Sequence, residues 1–319
     1  MPRTEAMVAA DNLASWVNER LGVELVDRRP LAGGCIHSSW RLELADGRRL
    51  FAKTNGADSL PLLETEAEGL QALAVAAGGA GPLVPVPLAC GVAGASSVLV
   101  LPWLDLESGR SAAHGPQWRR LGAALAGLHR HSLTLPCTAE DRVGTAFGWP
   151  RDNVIGAFPQ RNGWEGIWGR FFVERRLAPQ LEHLARSGTP LRQAQSLLER
   201  AGQWLHNHHP DPCLVHGDLW SGNAAITTSG QGAIFDPAVY RGDREVDLAM
   251  ARLFGGFPEA FFAGYEAAWP LPSGHRFRRD LYNLYHLLNH ANLFGGSYLG
   301  QSQARIDALL APGADRERG

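Results

Sequence analysis

At 319 residues and 34.5 kDa, with a net charge of −2, the chain has room for one large domain or two lobes with ample core. Its 45% hydrophobic and 19% charged residues are ordinary for a globular protein. A pI near 6.6 supplies no electrostatic footing for nucleic acid or a membrane surface, so neither is expected as a partner. No secretory leader pattern and no apolar run of about 18 residues is present, which points to the cytoplasm. Cys35, Cys90, Cys137 and Cys213 are scattered without a Cys-x-x-Cys spacing, indicating neither a zinc site nor a disulfide framework. Ten tryptophans suit a core and, in part, a sugar-binding wall.

Taken in chain order, residues 7–21 carry helical spacing (Val8, Leu13, Trp16, Val17, Leu21). Residues 31–55 read as a hairpin: the turn Ala32-Gly33-Gly34-Cys35, an alternating run through Trp40, Leu42 and Leu44, the Asp46-Gly47 turn, and a return strand ending at Lys53. Strand, glycine loop, strand and lysine is how a nucleotide-covering loop is built. Backbone donors at Gly33 and Gly34, with Ser38 or Ser39, are candidate phosphate contacts, although no Walker motif occurs. The next helix, 62–77, bears Glu64, Glu66 and Glu68. A phosphate-orienting lysine needs a helix-borne carboxylate, and Glu66 is the first choice, with Glu64 in reserve.

Residues 82–87 are extended and broken by proline. Val98–Leu101 is a buried strand leading into Pro102-Trp103-Leu104-Asp105. As a hinge, this segment would offer adenine the carbonyl of Pro102 and the N–H of Leu104, since proline lacks only a donor. A helix follows at 117–131, ending in His129 and His131, expected on the surface. The glycine- and aromatic-rich segment 141–170 has the length of a binding loop. Further helices are expected at 168–184, 191–207, 246–253, 257–268 and 277–294, with His206, His208 and His209 exposed and the tail 312–319 disordered.

The densest chemistry lies at 214–247. Leu214 and Val215 start a buried strand, followed by His216-Gly217-Asp218 and then Asn223, five residues after the aspartate. A turn at 227–232 leads to Ile234, Phe235 and Asp236. The expectation is two carboxylates and a carboxamide at the ends of two joined short strands: Asp218 facing a hydroxyl, Asn223 and Asp236 holding a divalent metal. Asp, four residues, Asn, then a strand-terminal Asp is the phosphoryl-transfer spacing. Gly217 in place of arginine, and Asp236-Pro237 in place of Asp-Phe-Gly, argue against a protein kinase and for a small-molecule kinase of the same fold. Asp247, at the start of the next helix, is read as a structural brace for the catalytic loop.

The run His216–Asn223 with Trp220-Ser221, the Asp236-Pro237-Ala238 end and Phe254-Gly255-Gly256-Phe257-Pro258 resemble the fructosamine kinase (ketosamine 3-kinase) family. Gly33-Gly34-Cys35-Ile36, Glu66–Leu70 and Asn289-His290 extend the likeness over residues 20–310. The resemblance implies an α+β, two-lobed protein-kinase-like fold: 1–101 a nucleotide-binding lobe, 102–105 the hinge, 106–311 a catalytic and acceptor lobe, 312–319 a tail. It implies ATP and Mg²⁺ as cofactors and glycated amines, free or on protein, as partners. The 3-hydroxyl of the ketose is phosphorylated and the amine is released. Carried over, Asp218 is the base, Asn223 and Asp236 bind Mg²⁺, Lys53 binds phosphates, Glu66 orients Lys53, and Trp220 with Ser221 meets the sugar. Cys35 matches a loop cysteine that is redox-sensitive in some members. Pro102 departs from the glutamate that relatives often carry at the hinge. The competing readings are an aminoglycoside or amino-alcohol kinase, which would favour an acidic acceptor pocket, and an ATP-binding pseudokinase, which would lack a base or metal ligand. A monomer or a homodimer is expected.

Overall fold

The computed structural model describes residues 2–32, 37–107, 114–136 and 147–311, with side chains from residue 12 onward. The N-terminal part is an antiparallel sheet clasped by two helices. Helix α1 (Pro2–Leu21) precedes β1 (Leu25–Leu31), β2 (Ser38–Leu44), β3 (Arg49–Gly56), α2 (Leu60–Ala77), β4 (Ala89–Ala93) and β5 (Ser96–Pro102), and the sheet order is β1-β2-β3-β5-β4. Strand β1 extends the expected hairpin at its outer edge. Its Pro30 is tolerated there because an edge strand has N–H groups to spare.

Period-two alternation divides the sheet into two faces. Leu42, Leu44, Leu50, Ala52, Val98 and Val100 pack on Leu13, Trp16 and Val17 of α1. Leu99 and Leu101 face the other way, onto Leu63, Leu70 and Leu73 of α2. Each of those fully buried leucines contributes about 2 kcal/mol from removal of apolar surface from water. Lys53 lies on the α2 face, paired across the sheet with Ser39 on one side and Leu99 on the other.

The C-terminal part is mostly helical. It contains α3 (Gly115–Ser132), a β6–β7 hairpin (Asn153–Ile155, Phe158–Gln160), α4 (Trp168–Phe171), a π-helical turn (Phe172–Leu177), α5 (Ala178–Arg186) and α6 (Ala194–Trp204). Then come β8 (Cys213–Val215), β9 (Ala224–Ile226), β10 (Gly232–Ile234), β11 (Tyr240–Gly242), α7 (Glu245–Leu253), α8 (Glu259–Ala268), α9 (His275–Phe294) and α10 (Ser297–Leu310). Helices α3 and α8 touch backbone to backbone. A Cβ on Gly122 would lie 1.9 Å from the Phe261 carbonyl oxygen, and one on Gly264 would lie 2.0 Å from that of Arg119.

Several expectations are corrected. Strand β8 pairs with β11, while β9 and β10 form their own hairpin. The chemistry-bearing residues therefore sit on the ends of three strands, not two. His129 is fully buried and bonded to Tyr265 and Asp247. His208 is half-buried, 2.7 Å from Asp243. Helix α10 lacked an expectation altogether. Gly33, Gly34, Cys35, Cys137 and the tail 312–319 lie outside the described residues. No helix among the described residues is long and apolar enough to cross a membrane.

Candidate active site

The loop of residues 216–223 hangs between β8 and β9, and its shape follows from one carboxylate beneath it. Asp247, fully buried at the start of α7, accepts the backbone N–H groups of His216 at 2.7 Å and Gly217 at 2.8 Å, with His129 against its other side at 3.1 Å. Burial works to raise this carboxyl, but those hydrogen bonds outweigh it and hold Asp247 below the ordinary carboxylate range. Gly217 is required by both conformation and space. Its φ is +80°, and a Cβ there would lie 2.0 Å from the Ala238 carbonyl oxygen. The loop N–H groups are thus tied down, and Asp218 is left facing the cleft.

Asp218, Asn223 and Asp236 converge. The Asn223 Nδ2 donates to the carbonyl of Asp218 at 2.9 Å, to its carboxylate at 3.3 Å and to the carbonyl of Asp236 at 3.2 Å. With the amide nitrogen so engaged, Asn223 has its Oδ1 to offer the cavity it lines. Asp236 adopts φ +57°, a backbone conformation rare outside glycine. Its side chain is 43% exposed, so its carboxylate is reachable from the cleft. An amide oxygen beside a reachable carboxylate is the hard-oxygen donor set that fits a magnesium ion. Burial, followed by the charge of Asp236, pushes the Asp218 carboxyl up to about 7.

Lys53 closes the site from the sheet. Its Nζ lies 2.8 Å from Glu66 and 2.6 Å from Asp236. Burial opposes its charge, but the two carboxylates more than compensate and raise its pKa. Two carboxylates share one cation here. Glu66 is accordingly pushed up to about 7, by burial first and by repulsion from Asp236 as well. Glu64 and Glu68, on the same helix, turn away to Arg151, at 3.9 Å and 2.8 Å.

Two cavities adjoin along this cleft. One, of about 410 Å³, is bounded by Leu31, Phe51, Pro85, Leu101 and Phe235 and by the whole segment from Pro102 to Leu106. The other, of about 630 Å³, is lined by Lys53, Glu66, Asp218, Asn223 and Asp236, with Ser39, Trp220 and Gly222. Ser39 and Lys53 are direct cross-strand partners and so share a face. Ser38 pairs with Thr54 on the opposite face and does not line the cavity. Trp220 is 40% exposed. Ser221 beside it is half-buried and absent from the lining.

Sequence reasoning missed His37, Thr65, Asn153 and Gly156, which also line the second cavity. Asn153 and Gly156 lie in a three-residue-strand hairpin, too short to leave a periodic signal. Thr65 sits next to Glu66 on a helix read only for its charges.

A model of the fructosamine kinase family matches residues 9–312. A probable ketoamine kinase of Synechocystis is 43% identical over 302 residues, 93% of this chain and 96% of its own. The chloroplastic protein-ribulosamine 3-kinase of Arabidopsis thaliana is 33% identical over 317 residues, 97% of this chain and 91% of its own. The crystal structure of a putative fructosamine-3-kinase from Haemophilus somnus superposes with a TM-score of 0.82 at 25% identity, over 94% of this chain and 97% of that one. The fold is that of protein-kinase-like phosphotransferases. With the family model and both relatives spanning more than nine-tenths of it, the chain belongs to the fructosamine kinase family, enzymes that phosphorylate hydroxyl groups.

Proposed function

We propose that the protein transfers the γ-phosphoryl group of ATP to the 3-hydroxyl of ketosamines. These are fructosyl, ribulosyl or erythrulosyl adducts of amines, free or on protein lysines, and the amine is recovered when the unstable 3-phosphate is lost. The observation that carries this reading is the meeting of Asp218, Asn223, Asp236, Lys53 and Glu66 on one cavity beside an exposed indole. In this reading residues 1–101 bind the nucleotide, 102–105 are the hinge and 106–311 carry the acceptor, in a cytoplasmic enzyme.

The apolar walls of Leu31, Phe51, Leu101 and Phe235 take the adenine, with the Pro102 carbonyl and Leu104 N–H at its edge. Lys53 holds the phosphates, and Glu66 keeps its ammonium aimed at them. Asn223 and Asp236 would hold Mg²⁺, which when bound supplies charge neutralisation at the phosphate oxygens. Asp218 orients the acceptor hydroxyl and takes its proton on a carboxylate oxygen. Its raised pKa makes it the better proton acceptor once ionised. Trp220 gives the sugar an apolar face, with the Ser221 hydroxyl next to it in the chain.

The test is ATP consumption against fructosyl-, ribulosyl- and erythrulosyl-lysine, free and peptide-borne, with an aminoglycoside and choline alongside. Turnover of at least one ketosamine is expected. Phosphorylation of the aminoglycoside or choline alone would replace this reading with another small-molecule kinase.

A further inference from the structure

The wall of the acid-lined cavity contributed by the β6–β7 hairpin carries a hydrogen-bond relay whose polarity is fixed at every joint. It begins at Arg176, a fully buried guanidinium in the π-helical turn. The guanidinium lies 4.0 Å over the Tyr240 ring and 4.6 Å over Phe171, and no carboxylate pairs with it among the described residues. A guanidinium can only donate. Its Nη2 donates to Asn162 Oδ1 at 2.7 Å, so Asn162 must turn its amide nitrogen the other way. That nitrogen donates to the Arg151 carbonyl at 3.2 Å and to Asn153 Oδ1 at 2.8 Å. Gln160 reaches the same oxygen at 2.8 Å, its own orientation set by the Ala238 carbonyl at 3.0 Å and the Tyr285 hydroxyl at 2.8 Å.

Asn153 is where the relay ends, and its inventory is unbalanced. Both lone pairs of Oδ1 are filled. One Nδ2–H donates to the Val239 carbonyl at 2.9 Å. The second has no partner among the described residues, although Asn153 is only 8% exposed and lines the cavity with Asp218 and Trp220. An unmet donor in a nearly buried amide is unfavourable until an oxygen arrives. Asn153 lines the acid-bearing cavity and not the hinge cavity, which places it away from adenine and in the cavity that holds Asp218 and Trp220.

We infer that Asn153 is a specificity-determining residue that donates its free amide N–H to a hydroxyl or carbonyl oxygen of the ketose chain, and that Arg176 is a positioning residue that, together with Gln160 and the Val239 carbonyl, holds that donor in direction. The inference rests on the ketosamine reading for the identity of the acceptor alone. Arg176 also donates from Nη1 to the Arg161 and Arg175 carbonyls, so an apolar side chain at 176 would strand those oxygens. It would also remove the donor on Asn162 Oδ1, one of the restraints, beside the Arg151 and Val239 carbonyls, that keep the Asn162 and Asn153 amides from turning over.

The experiment varies ATP and ribulosyl-lysine separately for the wild type, Asn153→Asp, Arg176→Met and Arg176→Lys. Asn153→Asp keeps an oxygen for Gln160 and Asn162 and removes both N–H donors, the free one and the one on the Val239 carbonyl, so the variants at 176, which leave the residue 153 amide in place, are its control. It should lower kcat/KM for the ketosamine roughly 10-fold or more, the scale of one unmet buried hydrogen bond, with the KM for ATP changed less than about 2-fold. Arg176→Met should act on the same parameter, and Arg176→Lys should restore part of it. A variant equal to the wild type, an equal loss on both substrates, or a rise in the KM for ATP alone would overturn the inference. If Asn153→Asp melts below the assay temperature, the Met and Lys variants at 176 decide by the same split. If the wild type accepts no ketosamine, the ketosamine reading fails by itself. The split is then measured on whichever alcohol it phosphorylates, and the same outcomes apply.

Discussion

The two ends of the cleft recognise by different physics. The proposed hinge end is a slot between apolar side chains, with residues 102–106 along its edge. The acid end gathers three carboxylates, an ammonium and an amide within hydrogen-bonding reach of one another. At the first end a substitution changes area and shape. At the second it strands a charge, which costs several times more. Affinity for the nucleotide base should therefore tolerate change, while turnover should not.

The largest effect should come from Asp218→Asn. Loss of the proton-accepting carboxylate lowers kcat by about 10²–10⁴-fold while leaving the KM for ATP nearly unchanged, as steady-state kinetics will register. Lys53→Met ranks next, because it leaves Glu66 and Asp236 without their shared cation. Denaturant titration should find a loss of about 3 kcal/mol or more, since breaking a buried pair exposes the uncompensated partner, and turnover should fall with it.

Asp247→Asn should remove about 2 kcal/mol, since an amide cannot accept both loop N–H groups and His129 as a carboxylate does. Its pH signature is specific. A carboxyl with a folded value below its unfolded one stabilises at pH above the unfolded value, about 3.9 for aspartate, and that stability is lost as pH falls through the folded value. The gap between wild type and variant in thermal melts should therefore be full at pH 6 and narrow below about pH 4. The smallest effect belongs to the hinge end. Phe51→Ala should raise the KM for ATP about 5-fold through lost apolar contact, with kcat within a factor of about 2.

Where the sequence was legible, local chemistry was short-range. Asp218, Asn223 and Asp236 share one stretch of chain, and Lys53 is followed directly by the helix that bears Glu66. Alternation along β2 and β3 announced the sheet, and Asp46-Gly47 its turn, with Gly47 at φ +84°. What stayed hidden depends on distant partners. The pairing of β8 with β11 joins segments 25 residues apart in three-residue strands, which carry no period. His129 looked like a surface residue at a helix end, and only α7 and α8 packing over it supply Asp247 and Tyr265. Asn153 draws its meaning from Arg176, Asn162 and Gln160, none of which sequence spacing singles out. Ser38 and Ser39 are a subtler case. Only the register with β3 reveals which of two adjacent serines faces the lysine.

The most direct test of the central claim is ³¹P NMR of the wild type with Mg²⁺, ATP and ribulosyl-lysine, run beside Asp218→Asn. The account predicts a sugar phosphomonoester signal which, summed with the inorganic phosphate it sheds, grows in step with ADP in the wild type, and neither the phosphomonoester nor ADP in the variant. ADP formed at the same rate without ribulosyl-lysine, or a phosphomonoester formed equally well by Asp218→Asn, would contradict it.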